Sequence, residues 1–235
     1  MGEGLALGLI GATGRLGTAI GQLCAARAIP VVLEASFGGW RSTATPSVIV
    51  DASAPEANRR VVDHCRQNRI PLVQCVSNLL PEQLREMESL AEVVPVVRAV
   101  NLSLAHHLQR RIVREIAGVL GEAVGDVEAS VFERHPVTKA HRPSATASRL
   151  ADEWTAASGE QVWDVCSRRA GLAVSDHEIQ WTWAAETLVL RHSVTDLAAA
   201  AAGAVIAAEW AHGRAAGLAC MRVIYDDYLA DRSTS

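Results

Sequence analysis

The sequence predicts an α/β fold in which a parallel sheet is followed by a second, mainly antiparallel sheet. Over the first hundred residues, short apolar runs bounded by turn residues alternate with helix-length amphipathic segments. That alternation is typical of a parallel sheet with helices on both faces. After Asn101, polar and apolar residues instead alternate at strand period, which indicates a sheet with one wet face. A chain of 235 residues, 49% of them apolar, can bury one large core or two small ones.

The first half contains five runs that read as strands buried on both faces, because they are mainly apolar and do not alternate with polar residues. They are residues 5–10, 30–35, 47–53, 71–76 and 94–100. A helix-like run, residues 18–27, follows the first of them.

The second half begins with a helix over about residues 103–120. Three segments with strand character follow, "DVEASVFERH", "EQVWDVCSRRA" and "HEIQWTWAAETLVLRHSV". Trp163, Trp181 and Trp183 lie in these segments, and both core packing and contact with a neighbouring subunit are open for them. The alanine-rich run from Leu197 ends at Glu209, so we expect a buried helix and no membrane span.

Composition excludes several classes of partner. The 22 basic and 26 acidic side chains leave a formal charge of -4, so no overall field attracts nucleic acid or an anionic membrane. The five cysteines form no C-x-x-C pair, which argues against a zinc site and a disulfide framework. We therefore predict reduced thiols in a cytoplasmic protein and no metal site. The apolar start is interrupted by glycines, so we expect no signal peptide.

The turn "GATGRLG" stands between the first strand and the first helix and contains Gly11, Gly14 and Gly17. Residues without side chains let backbone N–H groups approach a pyrophosphate, and the helix N-terminus adds its positive dipole. Glu34 ends the second strand, roughly 20 residues further on, where a carboxylate accepts from a ribose hydroxyl. A glutamate there repels a 2′-phosphate and favours NADH, although Arg15 or Arg41 could offset this. The alternative is a glycine turn with no ligand.

The stretch "ERHPVTKAHRPSATA", residues 133–147, concentrates histidines, basic residues and hydroxyl residues. Pro143 and Ser144 form a helix-start signal, and free N–H groups at a helix start bind carboxylates. Taken alone, the stretch is either a solvated surface loop or an active site.

Along nearly its whole length the chain resembles the 4-hydroxy-tetrahydrodipicolinate reductase family, NAD(P)H-dependent enzymes of lysine biosynthesis. The matching segments are "GATGRLG", "DASAPEA" at residues 51–57, "AVNLSLA" at 99–105, the stretch at 133–147, and the segment from "RRAG" at residue 168 to Asp196. The resemblance implies a Rossmann dinucleotide-binding domain, residues 1–103 plus 204–235, and an inserted α+β domain, residues 104–203. The inserted domain carries a mainly antiparallel sheet and binds substrate. The resemblance also implies a homotetramer formed through that sheet, with a homodimer as the alternative.

The resemblance also assigns site residues. His135 is the acid/base histidine and Lys139 the catalytic lysine, which suits a reaction in which hydride addition leaves an electron-rich enamine that needs a proton. The implied substrate is a small anionic cyclic molecule, with contacts from Arg142, Ser144, Ala145, Thr146 and Arg169. The implied cofactor-binding residues are Gly11, Ala12, Thr13, Gly14, Arg15, Leu16, Glu34, Ser53, Cys75, Val76, Ser77, Ala99 and Asn101. For His177 a structural role is expected, and His106 and His107 are expected at a helix terminus or an interface.

Several positions depart from the family pattern where it contacts ligands. The second histidine of the signature is Pro136, its aspartate is His141, and the glycine of its S-G-T is Ala145. The loop that sits near the nicotinamide in the family reads Cys75–Asn78 here, and only a short connection separates Glu34 from Ser47, where the family usually inserts a strand.

Three hypotheses follow. The first is a family-like NAD(P)H reductase of a cyclic imine or enamine carboxylate whose substrate has changed, as in specialised metabolism. The second is the authentic lysine-pathway reductase with relaxed motifs. The third is a non-redox lyase or cyclase, or a nucleotide-bound sensor, on the same fold.

Overall fold

The computed structural model describes residues 4–123, 126–171 and 175–233. They form two compact units. The first contains the chain up to Ser103 together with the chain from Leu197 onward, and the second is Leu104–Asp196. The predicted division at residues 203 and 204 stays a prediction, and residue 204 lies within a helix, Ala198–Ala211.

The first unit is built on a seven-stranded sheet with the strand order β11-β6-β5-β4-β1-β2-β3. Numbered along the whole chain, its strands are β1 (Leu7–Ile10), β2 (Val31–Ser36), β3 (Gly39–Ser42), β4 (Val48–Asp51), β5 (Leu72–Gln74), β6 (Pro95–Arg98) and β11 (Gly217–Cys220). All neighbours run parallel except β3, which pairs antiparallel with β2. Every residue of β1 and β4 is buried, which explains why these strands are apolar apart from Asp51 at the end of β4.

Two edge strands were not predicted. The connection between Glu34 and Ser47, for which we expected no strand, contains β3, and this expectation was wrong. β11 lies at the opposite edge, beside β6. The residues of both strands are mostly exposed. Because an exposed edge strand needs no apolar face, it carries no hydrophobic period.

The described part of the first unit also contains a short 3-10 helix, Pro55–Ala57, and five α-helices: α1 (Arg15–Ala26), α2 (Asn58–Asn68), α3 (Pro81–Ala91), α6 (Ala198–Ala211) and α7 (Met221–Ser233). Most of α6 is buried, as its apolar composition predicts. A Cβ added at Gly203 would lie 2.1 Å from the Leu102 carbonyl oxygen, so this helix needs glycine there. No helix in the described part of the chain has the length and apolar character to cross a membrane.

The second unit combines two helices with a four-stranded sheet in the order β10-β9-β7-β8. Its elements are α4 (Leu104–Ala123), β7 (Glu128–His135), α5 (Ala145–Ser158), β8 (Asp164–Arg169), β9 (Ser175–Trp183) and β10 (Glu186–Val194). β9 pairs antiparallel with β7 and β10, whereas β8 runs parallel to β7. The sheet is therefore mainly antiparallel, as predicted.

The core of the second unit lies between its helices and one face of this sheet. Trp154 of α5 and Trp181 of β9 are fully buried, with ring centroids 6.0 Å apart. Core packing thus accounts for Trp181. Trp163 differs from it, since it is 75% exposed, and Trp183 is half-buried at the margin of the core.

Candidate active site

The glycine turn after β1 has the geometry that the sequence predicts. Gly11 has a φ of +79°, and its N–H donates to the Ala35 carbonyl over 2.9 Å. A Cβ on Gly11 would lie 2.6 Å from the Ala52 oxygen, and one on Gly17 would lie 2.1 Å from the Gly11 oxygen. Side chains are therefore excluded at both positions. Gly14 is the N-cap of α1, whose first-turn N–H groups have no acceptor within the helix.

A cavity of about 570 Å³ opens beside this turn. Four of the predicted cofactor residues line it: Gly11, Thr13, Gly14 and Ser53. Its far end is formed by Ser36, Phe37, Trp40, Glu56 and Arg60, which the sequence analysis missed. A glycine cradle at one end of a mainly apolar cavity fits a dinucleotide, with the pyrophosphate at the helix start and the adenine against aromatic side chains.

Glu34 does not line this cavity. It is exposed in the middle of β2, and Ser36 occupies the strand end. Arg60 places its guanidinium carbon 4.7 Å from the centroid of the Trp40 ring, within the cation–π range. The charged groups at this end of the cavity are therefore Glu56 and Arg60.

The remaining predicted cofactor residues lie on the same edge of the sheet but do not line the cavity. Because β1, β4, β5 and β6 are parallel, their carboxyl ends meet at one edge, where parallel α/β sheets bind ligands. Ala12, Arg15 and Leu16 belong to the glycine turn and the start of α1, Cys75, Val76 and Ser77 follow β5, and Ala99 and Asn101 follow β6.

A polar network in the second unit is centred on Glu133. Strand pairing sets Glu133 of β7 beside Ser167 of β8 and His177 of β9. Glu133 is completely buried. One of its carboxylate oxygens accepts from Ser167 Oγ over 2.7 Å and from Arg169 Nη1 over 3.0 Å, and the Ser144 N–H donates to both oxygens over 3.1 Å.

These bonds keep Glu133 ionised. Burial alone raises the pKa of a carboxyl group, but the hydrogen bonds from Ser144, Ser167 and Arg169 outweigh it and lower the pKa of Glu133 to about 2. The network thus holds a permanent negative charge within a buried part of the unit.

His135 lies two residues after Glu133 and so shares its face of β7. Its Nε2 is 3.3 Å from Glu133 Oε2 and 3.2 Å from His177 Nε2, and its Nδ1 is 3.0 Å from Ser175 Oγ. Burial lowers the pKa of His135 against the opposing effect of Glu133. Burial, reinforced by the neighbouring His135 and His192, lowers the pKa of His177 to about 3. Both rings are therefore neutral at neutral pH.

The loop between β7 and α5 carries the predicted cationic residues. Lys139 and Arg142 are exposed. Within the described residues the Lys139 ammonium makes no hydrogen bond or ion pair. It is nevertheless close enough to lower the pKa of His135 electrostatically.

Arg169 holds this loop in place. Besides Glu133, its guanidinium binds the carbonyl oxygens of Lys139, over 2.8 Å, and of His141. We predicted a substrate contact for Arg169, but most of its donors are engaged inside the protein. Its observed role is to join the loop to β7.

The start of α5 follows the helix-start signal. Ser144 is the N-cap, and its Oγ accepts from the Ala147 N–H over 3.2 Å. Since the Ser144 N–H is bonded to Glu133, an incoming anion would meet the N–H groups of Ala145 and Thr146. Among the predicted substrate residues, these two and Arg142 keep donors available, as does the predicted catalytic residue Lys139.

Sequence reasoning missed Glu133, Ser167 and Ser175, and it gave His177 a structural role only. The spacing of Glu133 and His135 on one strand face was a usable signal. The pairing of strands that brings in His177 has no local signature. His106 and His107 are buried in the second unit, and His177 stacks on His192 with ring centroids 5.5 Å apart.

Models of two protein-family domains match this chain. They are described as the N-terminus and the C-terminus of dihydrodipicolinate reductase, and they match residues 27–102 and 106–224 respectively. The chain belongs to the dihydrodipicolinate reductase family. That family consists of NAD(P)H-dependent reductases, so the chain is an oxidoreductase of this type.

Individual proteins with similar sequences belong to the same family. The 4-hydroxy-tetrahydrodipicolinate reductase of Myxococcus xanthus is 31% identical over an alignment covering 90% of this chain and 86% of the relative. The enzyme of the same name from Caulobacter vibrioides is 27% identical, with 93% and 96% covered. The solved structure of dipicolinate-bound dihydrodipicolinate reductase from Paenisporosarcina sp. TG-14 has a TM-score of 0.71 at 17% identity and covers 92% of this chain and 97% of that one. The similarity to this solved structure confirms the fold class predicted from the sequence, an α/β fold with a second, mainly antiparallel sheet.

Proposed function

We propose that this chain reduces a cyclic imine or enamine carboxylate with NAD(P)H, and that His135 is its acid/base residue. The observation that carries the proposal is the geometry of His135. Its ring is held between the ionised Glu133, His177 and Ser175, and the exposed Lys139 follows four residues later on the adjoining loop. A histidine positioned by hydrogen bonds and accompanied by a cation suits proton transfer to a reduced, electron-rich carbon, in which the neutral ring takes up a proton from solvent and then delivers it.

The dinucleotide supplies the hydride when bound, and the chain's own residues supply the rest. Gly11, Gly14 and Gly17 have no side chains and so leave room for the pyrophosphate. At Gly11 and Gly17 a side chain would also collide with the backbone of the turn or its neighbours. Lys139, Arg142 and the N–H groups of Ala145 and Thr146 would bind and orient substrate carboxylates. Holding these charges in place also stabilises negative charge that develops during the reaction.

We propose that the substrate differs from the lysine precursor. Pro136 cannot donate the ring N–H of the histidine that the family has at this position. His141 replaces an acidic residue by a basic one, and Ala145 adds a methyl group where an anion approaches the backbone. All three changes fall on the loop and helix start that carry the proposed anion contacts. An anionic cyclic imine of a different shape accounts for changes at these three positions.

A substrate comparison tests this proposal. NADH and NADPH oxidation would be followed with 4-hydroxy-tetrahydrodipicolinate and with a panel of cyclic imine carboxylates. We expect measurable reduction of at least one other cyclic imine carboxylate, and much weaker reduction of the lysine precursor. Efficient turnover of the lysine precursor, together with rescue of a strain that lacks that reductase, would instead establish the authentic lysine-pathway enzyme.

A binding measurement separates the reductase proposal from the non-redox alternatives. Calorimetry with NADH and NADPH should give saturable binding. Tight binding without hydride transfer to any imine would favour a sensor, lyase or cyclase. The absence of dinucleotide binding would overturn both reductase readings.

Discrimination between the two dinucleotides is proposed to be slight. The preference for NADH that Glu34 predicts requires its carboxylate at the ribose, whereas Ser36 lines the cavity and Glu34 does not. Arg60 at the same end offers a cation to a 2′-phosphate. We propose that these features offset each other and that the chain uses both NADH and NADPH. A slight preference for NADH would come from Glu34, to the extent that its carboxylate comes close to the ribose.

We also propose a cytoplasmic homotetramer, with a homodimer as the alternative. Leu188 and Val189 of β10 are 41% and 46% exposed, and Trp163 is more exposed still. Large apolar side chains on the outside of a sheet favour a subunit contact. All five cysteines are free, which suits a reducing compartment. Light scattering of the purified chain tests the assembly.

A further inference from the structure

Three potential ligand atoms converge at one point in the second unit. A carboxylate oxygen of Glu133, a ring nitrogen of His135 and a ring nitrogen of His177 all lie within 4.8 Å of one another. The three residues are 0%, 8% and 3% exposed. Two of the separations are close, 3.3 Å from His135 Nε2 to Glu133 Oε2 and 3.2 Å from His135 Nε2 to His177 Nε2.

These two separations match the ligand spacing of a tetrahedral metal site. Nitrogen and oxygen ligands lie about 2.0–2.1 Å from Zn²⁺, so two of them at tetrahedral angles stand about 3.3–3.4 Å apart. Two histidines and one carboxylate, with one position left for water, are a recurrent ligand set of accessible zinc sites. The third separation, from His177 to Glu133, is no more than 4.8 Å, so these two ligands would move closer together when a cation binds.

Surrounding hydrogen bonds orient two of the three ligands, His135 and Glu133. The Nδ1 of His135 faces Ser175 Oγ, which leaves Nε2 as the ligand nitrogen. One oxygen of Glu133 is held by Ser167 and Arg169, while Oε2 accepts from the Ser144 N–H and lies 3.3 Å from His135 Nε2. Because the Arg169 guanidinium is itself a cation close to the site, we expect weaker binding than at a structural zinc site.

We propose that Glu133, His135 and His177 form a site for a borderline divalent cation, with Zn²⁺ the best match, and that the bound cation withholds His135 from proton transfer. Coordination uses the lone pairs of the three side chains and transfers no electrons. A ligand nitrogen that holds a proton releases it to solvent. The inhibition rests on the proposed function, whereas the binding does not.

The sequence predicted no metal site, because its five cysteines form no C-x-x-C pair. His177 is far from Glu133 and His135 along the chain, and strand pairing alone brings it beside Glu133. The two histidines therefore form no sequence motif.

Zinc titration of the full chain without dinucleotide or substrate tests the binding directly. A chromophoric chelator of known affinity competes for Zn²⁺, and Co²⁺ provides a second readout through its visible absorption in a tetrahedral site. We expect one Zn²⁺ per chain. His177→Ala should weaken binding about 100-fold or more, at least the loss caused by removing an outer-shell partner.

His141→Ala is the matched control, because it removes an exposed histidine of the neighbouring loop that is not a ligand; its zinc affinity should equal that of the native chain. Circular dichroism establishes that each variant folds. If His177→Ala does not fold, His177→Gln and Glu133→Gln replace it, and both should lose affinity. The absence of saturable zinc binding, or native affinity in the folded ligand variants, would overturn the site.

The inhibition is tested separately. Zn²⁺ should lower the rate of imine reduction with the saturation curve of the titration, and a chelator should restore it. Zinc that binds without changing the rate would overturn the inhibitory role while leaving the site. Zinc binding in a chain that reduces no imine would refute the proposed function and not the site.

Discussion

His135 is held by groups that differ in what they can do. Glu133 is ionised and buried, His177 is a neutral ring, and Ser175 donates or accepts. A ring fixed in this way meets a substrate in one orientation, which is the condition for efficient proton transfer. The surroundings of His135 therefore support its predicted role, which stays a prediction until it is measured.

Replacing His135 should separate catalysis from cofactor binding. We expect His135→Asn to lower kcat by about 10²–10⁴-fold, the usual contribution of a positioned acid/base group. The dissociation constant for the dinucleotide should stay within about twofold of that of the native chain. The reason is that His135 does not line the cavity beside the glycine turn, where we propose that the dinucleotide binds. Steady-state kinetics and calorimetry measure the two effects. His212→Asn, at the end of α6, is the control and should change neither; an unchanged kcat in His135→Asn would remove His135 from the mechanism.

We expect Arg60 to influence the choice between NADH and NADPH. It is the basic residue lining the far end of the cavity, where the ribose of the adenosine would lie. We expect Arg60→Ala to raise KM for NADPH about tenfold, corresponding to about 1.4 kcal/mol for a charge-assisted contact, and to raise KM for NADH less. Equal effects on both cofactors would assign Arg60 to packing against Trp40. Arg59→Ala, the exposed neighbour, should change the KM ratio little.

The helices and strands of the first unit explain why the sheet edge proposed to bind the dinucleotide could be predicted from the sequence. The turn between β1 and α1 is determined by local sterics, because the positive φ of Gly11 and the close approach of Gly17 leave no room for a side chain. The parallel pairing of β1, β4, β5 and β6 then brings their carboxyl ends to one edge. The spacing of the glycines was enough to predict the turn, and the alternation of strands with helices was enough to predict the parallel sheet.

The turn offers a matched pair of substitutions on one helix. Gly17→Ala places a Cβ 2.1 Å from a backbone oxygen, whereas a Cβ at Gly21 meets nothing closer than a leucine methyl at 3.9 Å. We expect Gly17→Ala to abolish dinucleotide binding or folding, and Gly21→Ala to preserve binding and raise stability by about 0.5–1 kcal/mol. Calorimetry and urea unfolding measure these effects. Normal cofactor affinity in Gly17→Ala would contradict the described geometry of the turn.

At the scale of the whole molecule, buried histidines make stability depend on pH. His106 is 2% exposed, and burial together with the nearby His192, His177 and Arg110 lowers its pKa from 6.5 to about 3. Between these two values the unfolded chain binds a proton that the folded chain does not. The free energy of unfolding therefore falls as the pH drops below about 6.5.

For His106 alone, the loss between pH 7 and pH 5 should be about 2 kcal/mol, because its folded pKa lies well below that range. Urea unfolding at several pH values measures it. We expect His106→Phe to reduce the pH dependence by roughly this amount if the variant folds with native circular dichroism. The exposed His141→Phe should leave the slope unchanged. A native slope in His106→Phe would mean that other groups control acid stability.

The sequence predicted more of the fold than of the site. The five strands of the first half, α4, the start of α5 and the buried α6 all follow from periodicity and capping. The exposed edge strands β3 and β11 did not, because they bury no apolar face. At the site, His135 and the glycine turn stood out as motifs, whereas Glu133 and His177 acquired their significance through strand pairing.

The sequence by itself determined the alternation of strands and helices, the glycine turn and the helix start at Ser144, because these depend on sterics and hydrogen bonds between residues close along the chain. Only the tertiary structure decided that Arg169 holds a loop, that Ser36 rather than Glu34 lines the cavity beside the glycine turn, and that His177 meets His135. Those outcomes depend on which strands pair and in what register, and register is set by the packing of the whole sheet on its core.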